Sequence, residues 1–287
     1  MHLFEPDPDE SGRLRRQYEP KPEIYVHAVA LGNPSDSRSF VLRRHRGLSG
    51  FADIAVDEPN WKLPIQGFEE DKQINVEVRP LSDFIFEDPV IIKIDTEGSE
   101  LEILNSAGEH MRSVMAVRLE FNMRSMWSTG TNFAKIDLFL AERGFTFIGF
   151  DSPPNGSVLG KFPLPQSRGQ LVAGDGLWIR NSSEQSNSDL EIFCKSIFLY
   201  LNGAEGLGLE EIGKLSVESR QRICTSVQSP LEALMYALIL KHLLSAGRLS
   251  HFGYSAVDRE HLKLFGQPIP QREILFQLLN QVGLDFD

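Results

Sequence analysis

Apolar and polar positions follow two periods along the first 181 residues, and their alternation predicts the elements of this stretch. Short apolar runs stop abruptly at turn residues or acids: Leu3-Phe4 before Glu5-Pro6, 24–31 before Gly32-Asn33-Pro34, 90–94 before Asp95, and 114–121 before Asn122. Runs of this length, rich in Val, Ile and Phe, predict strands. Between them lie segments with a helical period. Pro6-Asp7-Pro8-Asp9-Glu10 puts proline and acids at a helix start. Leu101, Leu104, Gly108 and Met111 recur on one helix face, and Asn132 predicts the cap of another helix carrying Phe133, Ile136 and Phe139-Leu140, stopped at Gly144. Residues 39–44 and 74–81 read as strands flanking a loop-rich insertion. In the second, Ile74, Val76 and Val78 alternate with polar residues as on a half-buried edge. Residues 145–150 and 176–180 read as two final strands around a Pro/Gly-rich stretch, 151–170, which is too long for a hairpin turn and expected to form a lid. Strands alternating with helices predict an α/β domain built on a parallel sheet covered by helices.

The pattern changes after residue 181. Residues 182–188 are polar without interruption and read as a linker. Segments 190–201, 209–227, 231–244 and 272–282 then carry helical periodicity without strand signals. Residues 189–287 are therefore expected to form a small all-helical appendage, through which the chain could meet a protein partner or a second copy of itself.

Composition narrows the function classes. The chain of 287 residues is 41% hydrophobic and 24% charged, the balance of a globular protein. No run approaches the ~18–20 apolar residues of a membrane span, so none is expected. The start, Met1-His2-Leu3-Phe4-Glu5, has neither the basic residues nor the apolar core of a signal peptide. Cys194 and Cys224 supply neither a disulfide framework nor zinc spacing, and a reducing cytoplasm is expected. A net charge of −11 disfavours tracking a phosphate backbone, so no nucleic-acid partner is expected. The one basic run, Arg43-Arg44-His45-Arg46, reads as a solvated hairpin edge, with an anion-binding loop as the alternative.

Candidate chemistry gathers where strands end. Glu5 stands just beyond a strand, where doubly wound folds place the carboxylate that accepts hydrogen bonds from ribose hydroxyls; a helix-start acid stabilised by the helix dipole fits the same position. Asp95-Thr96-Glu97-Gly98-Ser99-Glu100 follows another strand into the crevice where open α/β sheets bind ligands. Asp95 and Glu97 sit where they could orient a substrate or take its proton, whereas Glu100 fits the role of a dipole partner. Glu120 and Asn122 end the next strand. If the two strands are neighbours, their tips surround one crevice that could hold Mg²⁺ or act as base and acceptor without a metal; no metal is assigned. His27 reads as a satisfied core residue, and Trp61 and Trp127 as packing residues.

Four stretches, in order, carry a family resemblance: Phe4-Glu5-Pro6-Asp7-Pro8; His27-Ala28-Val29-Ala30-Leu31-Gly32; the segment from Lys93 through Asp95, Glu97, Gly98 and Glu100 to Leu104; and Leu119-Glu120-Phe121. With them, residues 1–181 resemble the FkbM family of S-adenosylmethionine-dependent methyltransferases. The third stretch, K-I-D-x-E-G-x-E-L-x-x-L, is the most specific. The resemblance implies a doubly wound, mostly parallel sheet of the class I methyltransferase type, S-adenosyl-L-methionine as cofactor, and methyl transfer to a hydroxyl oxygen of a sugar or other small-molecule acceptor. By matching position, it implies that Glu5 holds the cofactor's ribose, that His27 and Ala28 precede the adenine-side loop, and that Asp95, Glu97 and Glu120 face the methyl group and acceptor.

The resemblance also implies a strand and a glycine-rich loop ahead of the Phe4-Glu5-Pro6 acid, whereas Met1 already lies in the strand that carries Glu5. The expectation is accordingly of a sheet truncated at its start, from a chain that begins at an internal methionine or is a fragment. The alternative function is a non-catalytic remnant or binding module that has lost the cofactor and acts through protein association.

Overall fold

Asp7 stands where the first apolar run stops, and its carboxylate accepts the Asp9 N–H at 3.0 Å. This caps α1 (Pro8–Tyr18), whose leading proline sits where no N–H partner is needed. In the computed structural model α1 joins β1 (His2–Phe4) to β2 (Tyr25–His27), which lie parallel with His2 opposite Tyr25. The structure describes residues 1–53, 69–84, 86, 90–123, 125–150, 158–159, 170–171, 173–181, 188–216 and 218–219.

The apolar run 24–31 does not form one strand. It breaks at Ala28-Val29, so that β2 pairs with β1 while β3 (Ala30–Leu31) pairs in another sheet. That second sheet has the order β3-β5-β4, with β4 (Ser35–Arg43) antiparallel to β5 (Glu70–Arg79). β5 is therefore its central strand, not the expected edge. The alternation in β5 has a different cause: one face alone is covered, where Val76 and Val78 join Ala30, Phe40 and Leu42 in a small core.

The main sheet contains β6 (Val90–Ile94), β7 (Val114–Asn122) and β8 (Phe145–Phe150). Two short strands, β9 (Val158–Leu159) and β10 (Gln170–Leu171), pair with each other, and β11 (Ala173–Arg180) then returns to the main sheet, whose order is β6-β7-β11-β8. β6 and β7 are parallel, whereas β11 runs antiparallel to both β7 and β8 between them. The fold is mixed α/β, but the expected continuous doubly wound, mostly parallel sheet is not seen among the described residues. Among the described residues, parallel pairing is confined to β1–β2, β3–β5 and β6–β7, in separate sheets. Most of the expected lid, and Trp61, lie outside the described residues.

The side chains of the main sheet divide by face. Ile94, Val117, Leu119, Phe121 and Trp178 pack with Ile103 and Leu104 of α2 (Glu100–Ser106) and Ile136 and Leu140 of α3 (Phe133–Ala141). Each fully buried aliphatic side chain is worth about 1.5–3 kcal/mol, so this face dominates the stability of the domain. Trp178 is fully buried, and its indole N–H donates to Asp137 at 3.0 Å. The predicted cap at Asn132 is present: its side chain accepts the Lys135 N–H.

Cα proximity divides the chain into two compact units, Met1–Asn181 and Ser182–Asp287. In the second, Ser188 caps α4 (Asp189–Leu201), which packs on α5 (Glu205–Ile212). Gly208 permits the close approach, since a Cβ there would lie 2.8 Å from the Ser196 carbonyl oxygen. Lys195 and Glu211 form a buried ion pair at 3.2 Å. Cys194 lies on α4, where burial pushes its thiol upward; Cys224, the polar stretch 182–187 and the helices expected at 231–244 and 272–282 lie outside the described residues. Among the described residues, no helix is long and apolar enough to cross a membrane.

Candidate active site

The register of three strands assembles the acids. β6 and β7 pair in parallel with Ile94 opposite Leu119, which places Asp95, one residue beyond β6, beside Glu120. β11 then sets Asp175 opposite Glu120. Side chains alternate along strands, so these carboxylates share the sheet face opposite the apolar one. Lys93 and Arg118 occupy the same face two residues earlier. Lys93 pairs with Asp95 at 2.8 Å and Arg118 with Asp175 at 2.9 Å.

Glu97 joins this row from the turn after β6. Its φ of 52° is in the left-handed region, and Gly98 follows at φ 103°. Carboxylate oxygens of Asp95, Glu97 and Glu120 lie within 4.8 Å of one another, close enough to share a proton or to hold a cation such as Mg²⁺. Two further segments wall the turn. Gly50 brings the chain after β4 against the carbonyls of Thr96 and Glu97. Trp127, 1% exposed, lies against Gly98, and the hydroxyls of Thr129 and Thr131 donate to the Gly98 carbonyl. A reciprocal pair of bonds ties the walls together: the Ser128 N–H donates to the Asp53 carbonyl, and the Asp53 N–H to the Ser128 hydroxyl.

Burial in an acidic surrounding changes the proton affinities. Glu97 is pushed up to about 8, first by burial and then by the charges of Glu120, Asp95 and Glu100, against the opposing pull of Arg43. Glu120 is pushed up to about 7, again by burial first, then by Asp95, Glu100 and Asp175, with Lys93 opposing. The two groups titrate as a coupled set near neutrality. Their affinities are raised on folding, so the stability they contribute is fully present below the ordinary carboxylate range and is lost as pH rises through 7 to 8. Thermal midpoints are expected to fall between pH 5 and pH 8, and Glu97→Gln should flatten that slope. A midpoint that climbs across this window, or an equal slope in Glu97→Gln, would contradict the assignment.

Glu5 stands at the end of β1, half-buried, with one carboxylate oxygen accepting the Asp7 N–H at 2.8 Å. Burial raises its proton affinity, while that backbone bond opposes the shift. Arg46 connects this end to the rest, approaching Asp7 at 4.0 Å and Asp71 at 2.9 Å. The segment from Arg43 to Asp53 thus touches both the Glu5 loop and the Glu97 turn. Residues His27 and Ala28 are placed differently from the carboxylates. The His27 ring stacks on Phe4 at 4.7 Å and on His2 at 5.2 Å, meets Phe84 edge-on, and shares a 3.0 Å ring-nitrogen hydrogen bond with His2. Its ring is taken up by this aromatic cluster, which leaves backbone as its natural contribution to a ligand. Ala28 is exposed between β2 and β3.

With that geometry in place, the family model for the methyltransferase FkbM domain matches residues 1–147, half of the chain. The chain belongs to the FkbM methyltransferase family. No curated protein and no solved structure matches it significantly.

Sequence reasoning about this member of the FkbM family passed over two charged residues of the site. Arg43 is 6% exposed rather than a solvated hairpin charge, because its guanidinium lies 5.7 Å from the centre of the Trp127 ring and donates to the Ala52 carbonyl. Asp175 was missed because its position depends on the antiparallel register of β11. The one local signal was an acid between two glycines in an otherwise apolar strand.

Proposed function

We propose that this FkbM methyltransferase uses S-adenosyl-L-methionine to methylate a hydroxyl oxygen of a sugar or other small polyol. The observation that carries the reading is the half-buried Glu97–Glu120 pair at the ends of parallel strands, beside Asp95: a proton acceptor held near neutrality. The residues also fit the donor. Carboxylates suit a positively charged sulfonium, and Glu5 keeps a second oxygen to accept from a ribose hydroxyl beyond its bond to Asp7.

When bound, S-adenosylmethionine supplies an electrophilic methyl group whose carbon–sulfur bond breaks as the bond to the acceptor oxygen forms. The chain's own residues align and deprotonate the acceptor. Alignment supplies the largest share of such an acceleration. Glu120, with the lower proton affinity of the pair, takes the hydroxyl proton; Glu97, protonated at neutral pH, donates a hydrogen bond that holds the acceptor or the Glu120 carboxylate. Asp95, paired with Lys93 at the open edge, would add negative charge that favours a bound sulfonium.

The test is transfer of a radiolabelled methyl group from the donor to a panel of sugars, polyols, amines and carboxylates. Label on a hydroxyl oxygen supports the reading; label confined to nitrogen or carboxylate acceptors overturns the acceptor class. Glu5→Ala should raise KM for the donor about 10- to 100-fold with kcat retained, the loss of about 1.5–3 kcal/mol of charged hydrogen bonding. An unchanged KM would remove the ribose assignment. A second reading, a binding module without catalysis, is favoured by one observation: among the described residues, β1–β2 forms a sheet of its own and does not pair with β6. Transfer of label to any acceptor excludes it.

A further inference from the structure

Glu100 opens α2, and its place there predicts a solvated acid facing the helix dipole. It is instead 3% exposed. Its carboxylate accepts the Gly98 N–H at 3.0 Å and the Thr96 hydroxyl at 3.2 Å, so it turns back over the loop that precedes its own helix. A buried carboxylate is tolerated only where such bonds replace water. The opposite side of the same loop is fixed by the Thr129 and Thr131 hydroxyls on the Gly98 carbonyl and by Trp127 against the Gly98 α-carbon. Between these anchors stands Glu97, the one non-glycine residue with positive φ among the described residues. Nothing in a glutamate side chain favours that backbone, so the surrounding contacts must impose it.

We propose that Glu100 is a positioning residue: its two accepted hydrogen bonds hold the 96–98 turn in the left-handed conformation that brings the Glu97 carboxyl among Asp95 and Glu120. The consequence for methyl transfer rests on the function proposed above, whereas the geometric claim does not. Removing the acceptor should let Glu97 relax to ordinary backbone and swing its carboxyl out of the crevice.

Two variants separate the acceptor from the bulk. Glu100→Gln keeps a carbonyl oxygen at the same reach; Glu100→Met keeps length and burial without it. Both are read by NMR without donor or acceptor molecules, so failure of the methyltransferase reading would leave the outcome intact. A strong intraresidue HN–Hα cross-peak marks positive φ. It should persist at Glu97 in Glu100→Gln and be lost in Glu100→Met, where the Glu97 carboxyl also moves from about 8 toward its ordinary 4.5. A merely structural role for Glu100 would lower the melting temperature and leave Glu97 unchanged. A folded Glu100→Met that retains the cross-peak and the raised titration overturns the proposal. If Glu100→Met does not fold, Thr96→Val supplies the reading, since it removes the hydroxyl bond to Glu100 and keeps the Gly98 N–H bond: a weakened cross-peak is expected, and an unchanged Glu97 overturns the proposal.

Discussion

Glu120→Gln is expected to lower kcat for methyl transfer by about 10²-fold or more, the usual contribution of a positioned general base. The substitution preserves shape and removes the group proposed above to take the acceptor proton. The pH profile gives the sharper signature. In the unaltered enzyme Glu120 must be ionised, so kcat/KM should rise with pH and level off above about 7, the value to which burial and its acidic neighbours push this group. In Glu120→Gln that rising limb should disappear. Glu97→Gln should be milder in rate, because a glutamine can still donate the hydrogen bond assigned to protonated Glu97. It should leave the limb in place, because Glu97 is already protonated where Glu120 titrates and the acids that raise Glu120 are Asp95, Glu100 and Asp175. A Glu120→Gln enzyme with full kcat would mean that the proton leaves by another route.

Gly98→Ala is expected to cost about 2–6 kcal/mol, among the largest single-residue losses of stability in the domain. Two costs add: about 1–3 kcal/mol for a side chain in a backbone region that only glycine enters freely, and about 1–3 kcal/mol for overpacking. The second arises because a Cβ at Gly98, which has a φ of 103°, would lie 2.7 Å from both Cβ and Cγ of buried Trp127. Gly108 is the internal control. Its φ of 53° is also positive, yet an added Cβ there meets nothing within 4 Å. Gly108→Ala should therefore show only the backbone cost. Denaturant melts of both variants check the pair, and equal losses would mean that the contact with Trp127 relaxes freely.

The parts of this molecule legible in its sequence are those encoded locally. An apolar run ending in an acid marked β6 and Asp95, and the neighbouring run marked β7 and Glu120, because a carboxylate interrupts a buried strand only where the strand ends or one face meets water. The capping residues Asp7 and Asn132 were equally local. What depended on distant partners was not legible. Nothing within 24–31 distinguishes its two halves, since both are apolar; the break at Ala28-Val29 follows from β1 and β5 competing for different ends of the run. The alternation in β5 reports one covered face, and that pattern is the same for an edge strand as for a central strand with one solvated face. Arg43 reads as part of a solvated charge run until Trp127, far along the chain, folds over it. Glu100 reads as a helix-start acid until Thr96 and Gly98 are seen to donate to it.

The central proposal, that this member of the FkbM family binds S-adenosylmethionine beside the Glu97–Glu120 pair, is tested most directly by calorimetric titration of the cofactor into the unaltered chain. Saturable binding at one site, displaced by S-adenosylhomocysteine, is the result predicted here. The absence of saturable heat at millimolar cofactor would contradict it and leave the binding-module reading in its place.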